Sequence, residues 1–516
     1  MNGADLLCET LLSNGIDVCF ANPGTSEMHF VAALDRQPKI RCVLGLFEGV
    51  VTGAADGYAR MADRPAATLL HLGPGLANGL ANLHNARRAF TPIVNVVGDH
   101  ATQHLAYDAP LTSDIESLAR PMSGWVGRAQ SADDVGRQSA RAITEANRAP
   151  GAISTLILPA DAAWGEVHSN VPGKASRIPA DQPDSDKIRE AAQALRAGKN
   201  TTILVSGIAL RAENLETLGR IASMSGARLM AQQSNSRIQR GAGRVALDRV
   251  PFAIDKAIEI FAETQQIILI GAKAPVGFFA YPGKPSSMLP VGCMVLDMAS
   301  NHQDLKAAIA MLADELGINA TTGAIVAKRE KPSMPDGTLT PEAISLALAH
   351  HMPENSIICD ESVSSGRDFF RHTYSAEPHD FLQLTGGSIG IGLPLAVGAS
   401  IACPDRKVIT LQADGSGMYT VQALWSQARE RLDVLTIVYA NQRYNILHGE
   451  LKQVGAGVAG FNASRMLDLV DPTLDWVGLA NGMGVEAVRV DTVAGFENAL
   501  KAACQQKGPF LIEAII

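Results

Sequence analysis

The sequence lacks long blocks of lysine and arginine, and its formal net charge is −8 over 516 residues. Proteins that bind nucleic acid usually concentrate positive charge, so we expect no nucleic-acid partner. The sequence also lacks an apolar run near the roughly 20 residues that a membrane-spanning helix needs, so we expect no membrane segment. The first residues, MNGADLLCET, lack the basic start and the long apolar core of a secretion signal.

Cysteine is scarce and scattered. The seven cysteines are odd in number and never cluster. This spacing excludes a zinc knuckle and indicates reduced thiols, so we expect a cytoplasmic protein.

The composition is typical of a globular protein, with 47% hydrophobic and 19% charged residues. Strand-like apolar runs alternate with helical patterns along the whole chain, which predicts parallel sheets covered by helices. Stretches rich in proline and charge, 173–184 and 328–336, read as linkers. We therefore predict an α/β fold of three doubly wound parallel-sheet domains, at residues 1–172, 185–323 and 338–516.

Polar ligands follow two buried strands in the third block. The predicted strand Val408–Leu411 leads into Asp414–Ser416, and the predicted strand Val434–Ala440 ends on Asn441. Ligands of open α/β sheets bind at the carboxyl ends of strands. A carboxylate and an amide oxygen there suit Mg²⁺ that holds a diphosphate. The alternative is a plain Asp-Gly turn with an Asn at a strand end.

Two further segments carry polar or glycine-rich patterns. Glu48 follows an apolar strand and begins a helix that carries Gly49, Gly53 and Gly57, a spacing that lets another backbone or a flat ligand come close. The alternative for Glu48 is a carboxylate that the helix dipole favours. The segment TGGSIGIGLP, residues 385–394, is the other, and its alternative is an ordinary strand-to-helix turn.

Together these segments resemble the thiamine-diphosphate enzymes, whose motif is Gly-Asp-Gly followed about thirty residues later by Asn. In this sequence Ala413 occupies the position of the first glycine of that motif. The resemblance implies pyrimidine-binding, central and diphosphate-binding domains in that order. It implies Mg²⁺ ligands at Asp414, Asn441 and the Arg443 carbonyl. The cofactor-binding residues that we expect are Ser364, Gly387, Ile389, Asp414, Gly415, Ser416, Asn441, Tyr444 and Asn445.

Several of these residues have implied roles. Glu48 matches the glutamate that hydrogen-bonds N1′ of the aminopyrimidine and activates the cofactor. The Gly387 carbonyl would receive the 4′-amino group, and Ile389 would be the apolar wedge that bends the cofactor. Active sites of this family form between subunits, so we expect a homodimer or a dimer of dimers.

The segment ANPGTSE, residues 21–27, and His71, which ends the predicted strand 67–71 before a glycine-rich turn, are closest to benzoylformate decarboxylase. That likeness implies that Ser26 and His71 contact the substrate carboxylate and relay protons. The alternative for His71 is a strand-end histidine bonded to backbone, and His100 and His104 either line the site or lie in a solvated loop. Phe278 stands where the decarboxylase carries a second histidine, and we expect no FAD.

The expected reaction is therefore decarboxylation of a small-molecule 2-oxo acid. The carbanion that remains after CO₂ leaves is then protonated, or it is joined to an acceptor carbonyl as in acetolactate synthase. A simple benzoylformate-type decarboxylase remains an alternative, and so does a cofactor-binding scaffold without turnover.

Overall fold

Apolar runs rich in β-branched residues form the strands of three sheets. The computed structural model describes residues 1–168, 171–319 and 322–516. Alternate residues of one strand face opposite sides of a sheet, and here both sides are apolar. Cys19 packs into a core with Leu7 and Phe30, whereas the next residue, Phe20, packs into a second core with Val51. Helices therefore cover both faces, as predicted for a doubly wound fold.

The first sheet is parallel throughout, with strand order β2-β1-β3-β4-β6-β5. Its strands are β1 (Val18–Asn22), β2 (Arg41–Leu44), β3 (Ala66–Leu70), β4 (Ile93–Asp99), β5 (Trp125–Arg128) and β6 (Ile153–Pro159). Its helices are α1 (Gly3–Ser13), α2 (Met28–Arg36), α3 (Glu48–Ala62), α4 (Leu72–Ala89), α5 (Ile115–Ala119), α6 (Ala132–Ala146) and α7 (Ala160–Trp164). The order places the carboxyl ends of β1, β3 and β4 side by side.

The central region contributes strands to two sheets. Its strands are β7 (Thr201–Val205), β8 (Arg228–Ala231), β9 (Ile238–Arg240), β10 (Asp248–Arg249), β11 (Gln266–Ile270) and β12 (Met294–Ala299). Its helices are α8 (Ser185–Arg196), α9 (Ala212–Ser225), α10 (Ile254–Phe261) and α11 (Leu305–Leu316). Five of the strands form a parallel sheet in the order β10-β8-β7-β11-β12.

The third sheet has the order β17-β18-β16-β15-β13-β14-β9. Its own strands are β13 (Ile357–Glu361), β14 (His379–Gln383), β15 (Val408–Ala413), β16 (Val434–Ala440), β17 (Glu486–Val490) and β18 (Phe510–Ile515). Its helices are α12 (Pro341–His351), α13 (Phe369–His372), α14 (Gly392–Ala402), α15 (Asp414–Gly417), α16 (Ala423–Arg429), α17 (Asn445–Gln453), α18 (Phe461–Leu467), α19 (Trp476–Gly482) and α20 (Val493–Gln505).

The predicted class of three parallel α/β sheets is confirmed, with one addition. Strand β9 belongs by sequence to the central region but pairs antiparallel with β14, at the edge of the third sheet. Sequence patterning indicates that a strand exists, and it carries no information about which sheet a short strand joins. The domain boundaries that we proposed stay predictions.

A close crossing of α3 and α14 positions the site. A Cβ atom on Gly57 would clash with the Leu395 carbonyl, and one on Gly398 would clash with the Ala54 carbonyl. The glycine spacing that the sequence shows therefore serves the approach of another backbone. It brings the start of α3 close to the loop that precedes α14. No helix of the described residues is both long enough and apolar enough to span a bilayer.

Candidate active site

The Asp414 carboxylate and the Asn441 amide lie at one edge of the third sheet. Strands β15 and β16 are parallel neighbours, with Ala413 opposite Tyr439, so the residues that follow them are adjacent. Asp414 Oδ2 accepts a hydrogen bond from the Gln442 backbone N–H at 2.6 Å, and its Oδ1 accepts from the Gly415 N–H at 2.8 Å. The loops that carry the two predicted ligands are therefore joined directly.

Burial raises the pKa of Asp414 to about 6, even though the Gln442 and Gly415 N–H groups favour the carboxylate. A bound cation would offset this desolvation cost. No cluster of three His, Cys, Asp or Glu side chains suited to a metal occurs in the described part of the chain. The donors that are present, the Asp414 carboxylate and the Asn441 amide oxygen, suit Mg²⁺, which binds through one or two carboxylates plus phosphate oxygens and water.

The other predicted ligands surround this edge. The Asn441 Oδ1 atom accepts from the Arg443 N–H at 3.1 Å, and its Nδ2 atom donates to Ser365 Oγ at 3.1 Å. The Tyr444 ring packs over Gly415, where a Cβ would lie 3.0 Å from Tyr444 Cδ1.

A cavity of about 240 Å³ opens next to these loops. Two of the predicted cofactor contacts, Ser364 and Asn445, line it. Its other lining residues come from 252–254, Tyr281, Arg367 and α17, so the cavity lies between the central region and the start of α17.

The pyrimidine-side glutamate is buried at the start of α3. Glu48 is 6% exposed, and its Oε2 atom accepts a hydrogen bond from Asn78 Nδ2 at 2.9 Å. Gly75 lies beside it, because a Cβ there would be 3.1 Å from Glu48 Oε1. Glu48 is thus a buried, hydrogen-bonded carboxylate at the N-terminus of α3, a position that the helix dipole also favours.

The loop at 385–391 faces the central region. Gly387 has φ +78°, a conformation that favours glycine, and a Cβ there would lie 2.7 Å from Cζ of the Phe278 ring. The Asn85 Oδ1 atom accepts from the backbone N–H of Gly386 and of Ser388, which fixes the loop against α4. Phe278 therefore packs against Gly387, the residue whose carbonyl the resemblance assigns to the cofactor's amino group. Ile389 lies in the same loop and is half-buried.

A glutamate that the sequence analysis missed pairs with His71. Glu27 is 2% exposed, and its Oε2 atom lies 2.7 Å from His71 Nδ1 and accepts the Gly24 N–H at 2.8 Å. Burial raises the pKa of Glu27, against the pull of Gly24 and His71. The sequence does carry one signal for this residue: Glu27 lies three residues after Gly24, which is the spacing of a capping box at a helix start. The pair corrects the picture of His71 as bonded only to backbone.

Three other residues that the sequence analysis named, Ser26, His100 and His104, lie beside this pair in the chain or after a neighbouring strand. Ser26 is half-buried next to Glu27, and its role stays a prediction. His100 and His104 follow β4, with ring centroids 5.4 Å apart. The His100 Nε2 atom is buried without a hydrogen-bond partner among the described residues. His100 lies at the same sheet edge as His71, because β3 and β4 are neighbours.

The residues present fit thiamine diphosphate with a divalent cation. A buried carboxylate and an amide oxygen meet at one sheet edge, and a second buried carboxylate begins α3. Glycines in both loops let neighbouring rings pack close to the backbone. The charges suit a cation on the diphosphate side and a neutral, hydrogen-bonding ring on the other.

Comparisons with known proteins agree with this fit. Residues 1–118 match the family described as thiamine pyrophosphate enzyme, N-terminal TPP binding domain, and residues 364–514 match its C-terminal TPP binding domain. The chain is 49% identical over 520 residues to a Mycobacterium tuberculosis protein provisionally named acetolactate synthase large subunit IlvX, covering 100% of this chain and 99% of that one. It is 30% identical to benzoylformate decarboxylase of Pseudomonas aeruginosa, covering 98% and 97%.

Solved structures show the same fold. The thiamine diphosphate-dependent 4-hydroxybenzoylformate decarboxylase of Rhodococcus jostii superposes with a TM-score of 0.87 at 24% identity, over 99% of this chain and 98% of that one. Benzoylformate decarboxylase from Polynucleobacter necessarius gives a TM-score of 0.80 at 23% identity, over 100% and 98%.

Proposed function

The chain belongs to the thiamine-diphosphate-dependent enzymes, and we propose that it is a Mg²⁺-dependent enzyme that decarboxylates a 2-oxo acid. The remaining acyl group leaves as an aldehyde after protonation, or it is joined to a second carbonyl compound as a 2-hydroxy ketone. The observation that carries the proposal is the adjacency of the buried Asp414 carboxylate and the Asn441 amide at one sheet edge.

On the diphosphate side, Asp414, Asn441 and the Arg443 carbonyl would hold Mg²⁺. Ser364, Gly415, Ser416, Tyr444 and Asn445 would surround the diphosphate. Bound thiamine diphosphate supplies the electron sink that loss of CO₂ from a 2-oxo acid requires.

On the ring side, the Glu48 carboxylate is the proton-handling group. It is oriented by Asn78, and its burial strengthens a hydrogen bond to a ring nitrogen. The Gly387 carbonyl would accept from the amino group, and Ile389 would set the bend of the cofactor. Gly387 and Ile389 would thus act by binding and orienting, and Glu48 by handling a proton.

The fate of the acyl group depends on the acids that face it. His71 is oriented by the buried Glu27, and this pair can deliver a proton. Phe278 contributes no proton and lies against Gly387. Its ring centroid is 5.3 Å from that of Phe252 and 4.9 Å from that of Phe279. Without an acid at this position protonation is slower, which leaves time for attack on an acceptor carbonyl, so we favour ligation.

A simple benzoylformate-type decarboxylase is the second candidate. The intact pair of Glu27 and His71 favours it, because one well-oriented acid is enough for aldehyde release. A scaffold without turnover is the weakest candidate, because it has no use for a buried, oriented carboxylate at Glu48.

We further propose that the enzyme is a homodimer or a dimer of dimers. The segment that follows the Asn441 loop exposes apolar side chains that water disfavours: Leu447 at 44%, Val458 at 87%, Phe461 at 77%, Met466 at 71% and Val470 at 52%. An apolar surface beside a site suits a second copy of the chain. The seven free cysteines, four of them at least partly accessible, suit a cytoplasmic location.

The test is CO₂ release across a panel of 2-oxo acids, with pyruvate and benzoylformate included. The purified chain is assayed with Mg²⁺ and thiamine diphosphate, with each omitted in turn, and as the Asp414→Ala variant. We expect release from at least one acid, dependent on both additions and lost in the variant. Release from none of the acids by cofactor-saturated protein would reject the enzyme proposal in favour of the scaffold.

A further inference from the structure

Glu361 is a buried carboxylate that the proposed chemistry does not use. It ends β13 and is 1% exposed. Its Oε1 atom accepts the Gly390 N–H, and its Oε2 atom accepts the Gly392 N–H at 2.7 Å. No Lys, Arg or His of the described ranges forms an ion pair with it. Neutral donors alone therefore compensate this buried charge.

The same carboxylate reaches the second cofactor loop. Gln412 lies opposite Glu361 in the pairing of β13 with β15 and is fully buried. Gln412 Nε2 donates to Glu361 Oε2 at 3.1 Å and to Ser416 Oγ at 2.7 Å. Ser416 Oγ in turn donates to the Ala413 carbonyl at 3.2 Å. An unbroken chain of hydrogen bonds thus runs from the loop before α14 to the Asp414 loop.

We infer that Glu361, through Gln412, is the positioning residue that holds the Gly387 loop and the Asp414 loop in register. The inference deepens the proposed function and rests on it, because it takes these loops to grip the two ends of one cofactor. A cofactor of fixed length binds well only if both loops keep their spacing, and misplacement by about 1 Å can cost on the order of 100-fold in rate.

Simple helix capping explains only part of this arrangement. The residue at the N-terminal cap of α14, Ile391, offers no side-chain cap, so Glu361 does supply one from another strand. Capping needs only an oxygen, however, and a serine or asparagine provides it without burying a charge. Burial raises the pKa of Glu361 to about 7, which is a cost to the fold. Helix capping also does not require the hydrogen bonds that run from Glu361 through Gln412 to Ser416.

The test compares Glu361→Gln with a matched buried carboxylate of the same domain. Glu513 has a 2% exposed side chain and pairs with Arg489, remote in sequence from both loops. We measure the affinity for thiamine diphosphate with Mg²⁺ by calorimetry, deuterium exchange at C2 of the bound cofactor, and the melting temperature of the cofactor-free protein.

For Glu361→Gln we expect affinity about 10-fold weaker and exchange at least about 10-fold slower, because one oxygen becomes an NH₂ group that cannot accept from the Gly390 or the Gly392 N–H. We expect its melting temperature to fall no further than that of Glu513→Gln. For Glu513→Gln we expect a lower melting temperature with normal affinity and exchange. Wild-type affinity and exchange in Glu361→Gln would overturn the inference while leaving the proposed function intact. Failure of the wild-type chain to bind the Mg²⁺-cofactor pair would overturn both.

Gln412→Met supplies an independent test if Glu361→Gln does not fold. It breaks the link to Ser416 and leaves the backbone contacts of Glu361 in place. We expect the same two defects, and a double variant no worse than the worse single one within about threefold, because both changes break one chain of contacts. Normal affinity in Gln412→Met, or fully additive losses, would contradict the inference.

Discussion

Replacing Glu27 with glutamine should lower activity without lowering stability. The amide keeps an oxygen for the Gly24 N–H and for His71 Nδ1, so the geometry survives while the charge is lost. A hydrogen bond to a charged group contributes about 1.5–3 kcal/mol, compared with about 1 kcal/mol for a neutral one. The difference of about 0.5–2 kcal/mol corresponds to about a 2- to 30-fold loss in the proton-dependent rate, which we expect in kcat rather than in KM.

The effect of Glu27→Gln on stability depends on pH in a direction that the raised pKa of Glu27 determines. The pKa of Glu27 in the fold is raised above its usual value by burial. The stability that a raised carboxyl contributes is therefore present at low pH and is lost as the pH rises through the folded-state pKa. At pH 8 the ionised carboxylate is a cost that glutamine does not carry, so the melting temperature of Glu27→Gln should equal or exceed that of the wild type.

Glu145→Gln is the matched control in the same domain. Burial alone would raise the pKa of Glu145, but Arg148 and Arg141 hold it below its usual value, at contact distances of 2.9 Å and 2.8 Å. This carboxylate stabilises the fold above its unfolded pKa, so its loss should lower the melting temperature at pH 8 and leave kcat unchanged. Steady-state kinetics and thermal unfolding measure both. A Glu27→Gln variant with wild-type kcat and a reduced melting temperature would refute the reasoning.

The remaining predictions concern residues named by the sequence. Asp414→Ala should abolish tight cofactor binding because the diphosphate loses its bridging cation; calorimetry with Mg²⁺ present checks this, and unchanged affinity would remove Asp414 from the site. Glu48→Gln should keep the fold but slow deuterium exchange at C2 by about 10²–10⁴-fold, the usual size of a general acid–base contribution; wild-type exchange would sink its assignment. Phe278→His should raise the share of free aldehyde in the products, because it adds an acid against Gly387; chromatography decides, and an unchanged ratio argues that His71 alone sets the outcome.

Residues at strand ends could be predicted because parallel sheets collect them at one edge. Asp414 and Asn441 follow neighbouring strands, so strand prediction alone brought them together. Glu48 was predictable for a similar reason, since a helix that starts directly after a buried strand begins at that edge. Phe278 was placed by resemblance, and the structure sets its ring against Gly387.

Residues whose roles come from distant packing could not be predicted. Glu27 reads as a polar helix start, and its burial depends on Gly98 at the end of β4, where a side chain would clash with Glu27 Oε1. Glu361 reads as one acid of an Asp-Glu pair, and only the pairing of β13 with β15 sets it opposite Gln412. Strand β9 joins the third sheet through contacts more than 100 residues away in sequence.

The central claim is tested most directly by the carbon balance of one reaction. The best 2-oxo acid of the panel is incubated with the cofactor-saturated enzyme and a saturating acceptor aldehyde, and CO₂, free aldehyde and 2-hydroxy ketone are quantified together. Our account predicts that CO₂ exceeds the newly formed free aldehyde and that 2-hydroxy ketone makes up the difference. CO₂ matched entirely by free aldehyde would contradict ligation, and no CO₂ at all would contradict the assignment of the enzyme.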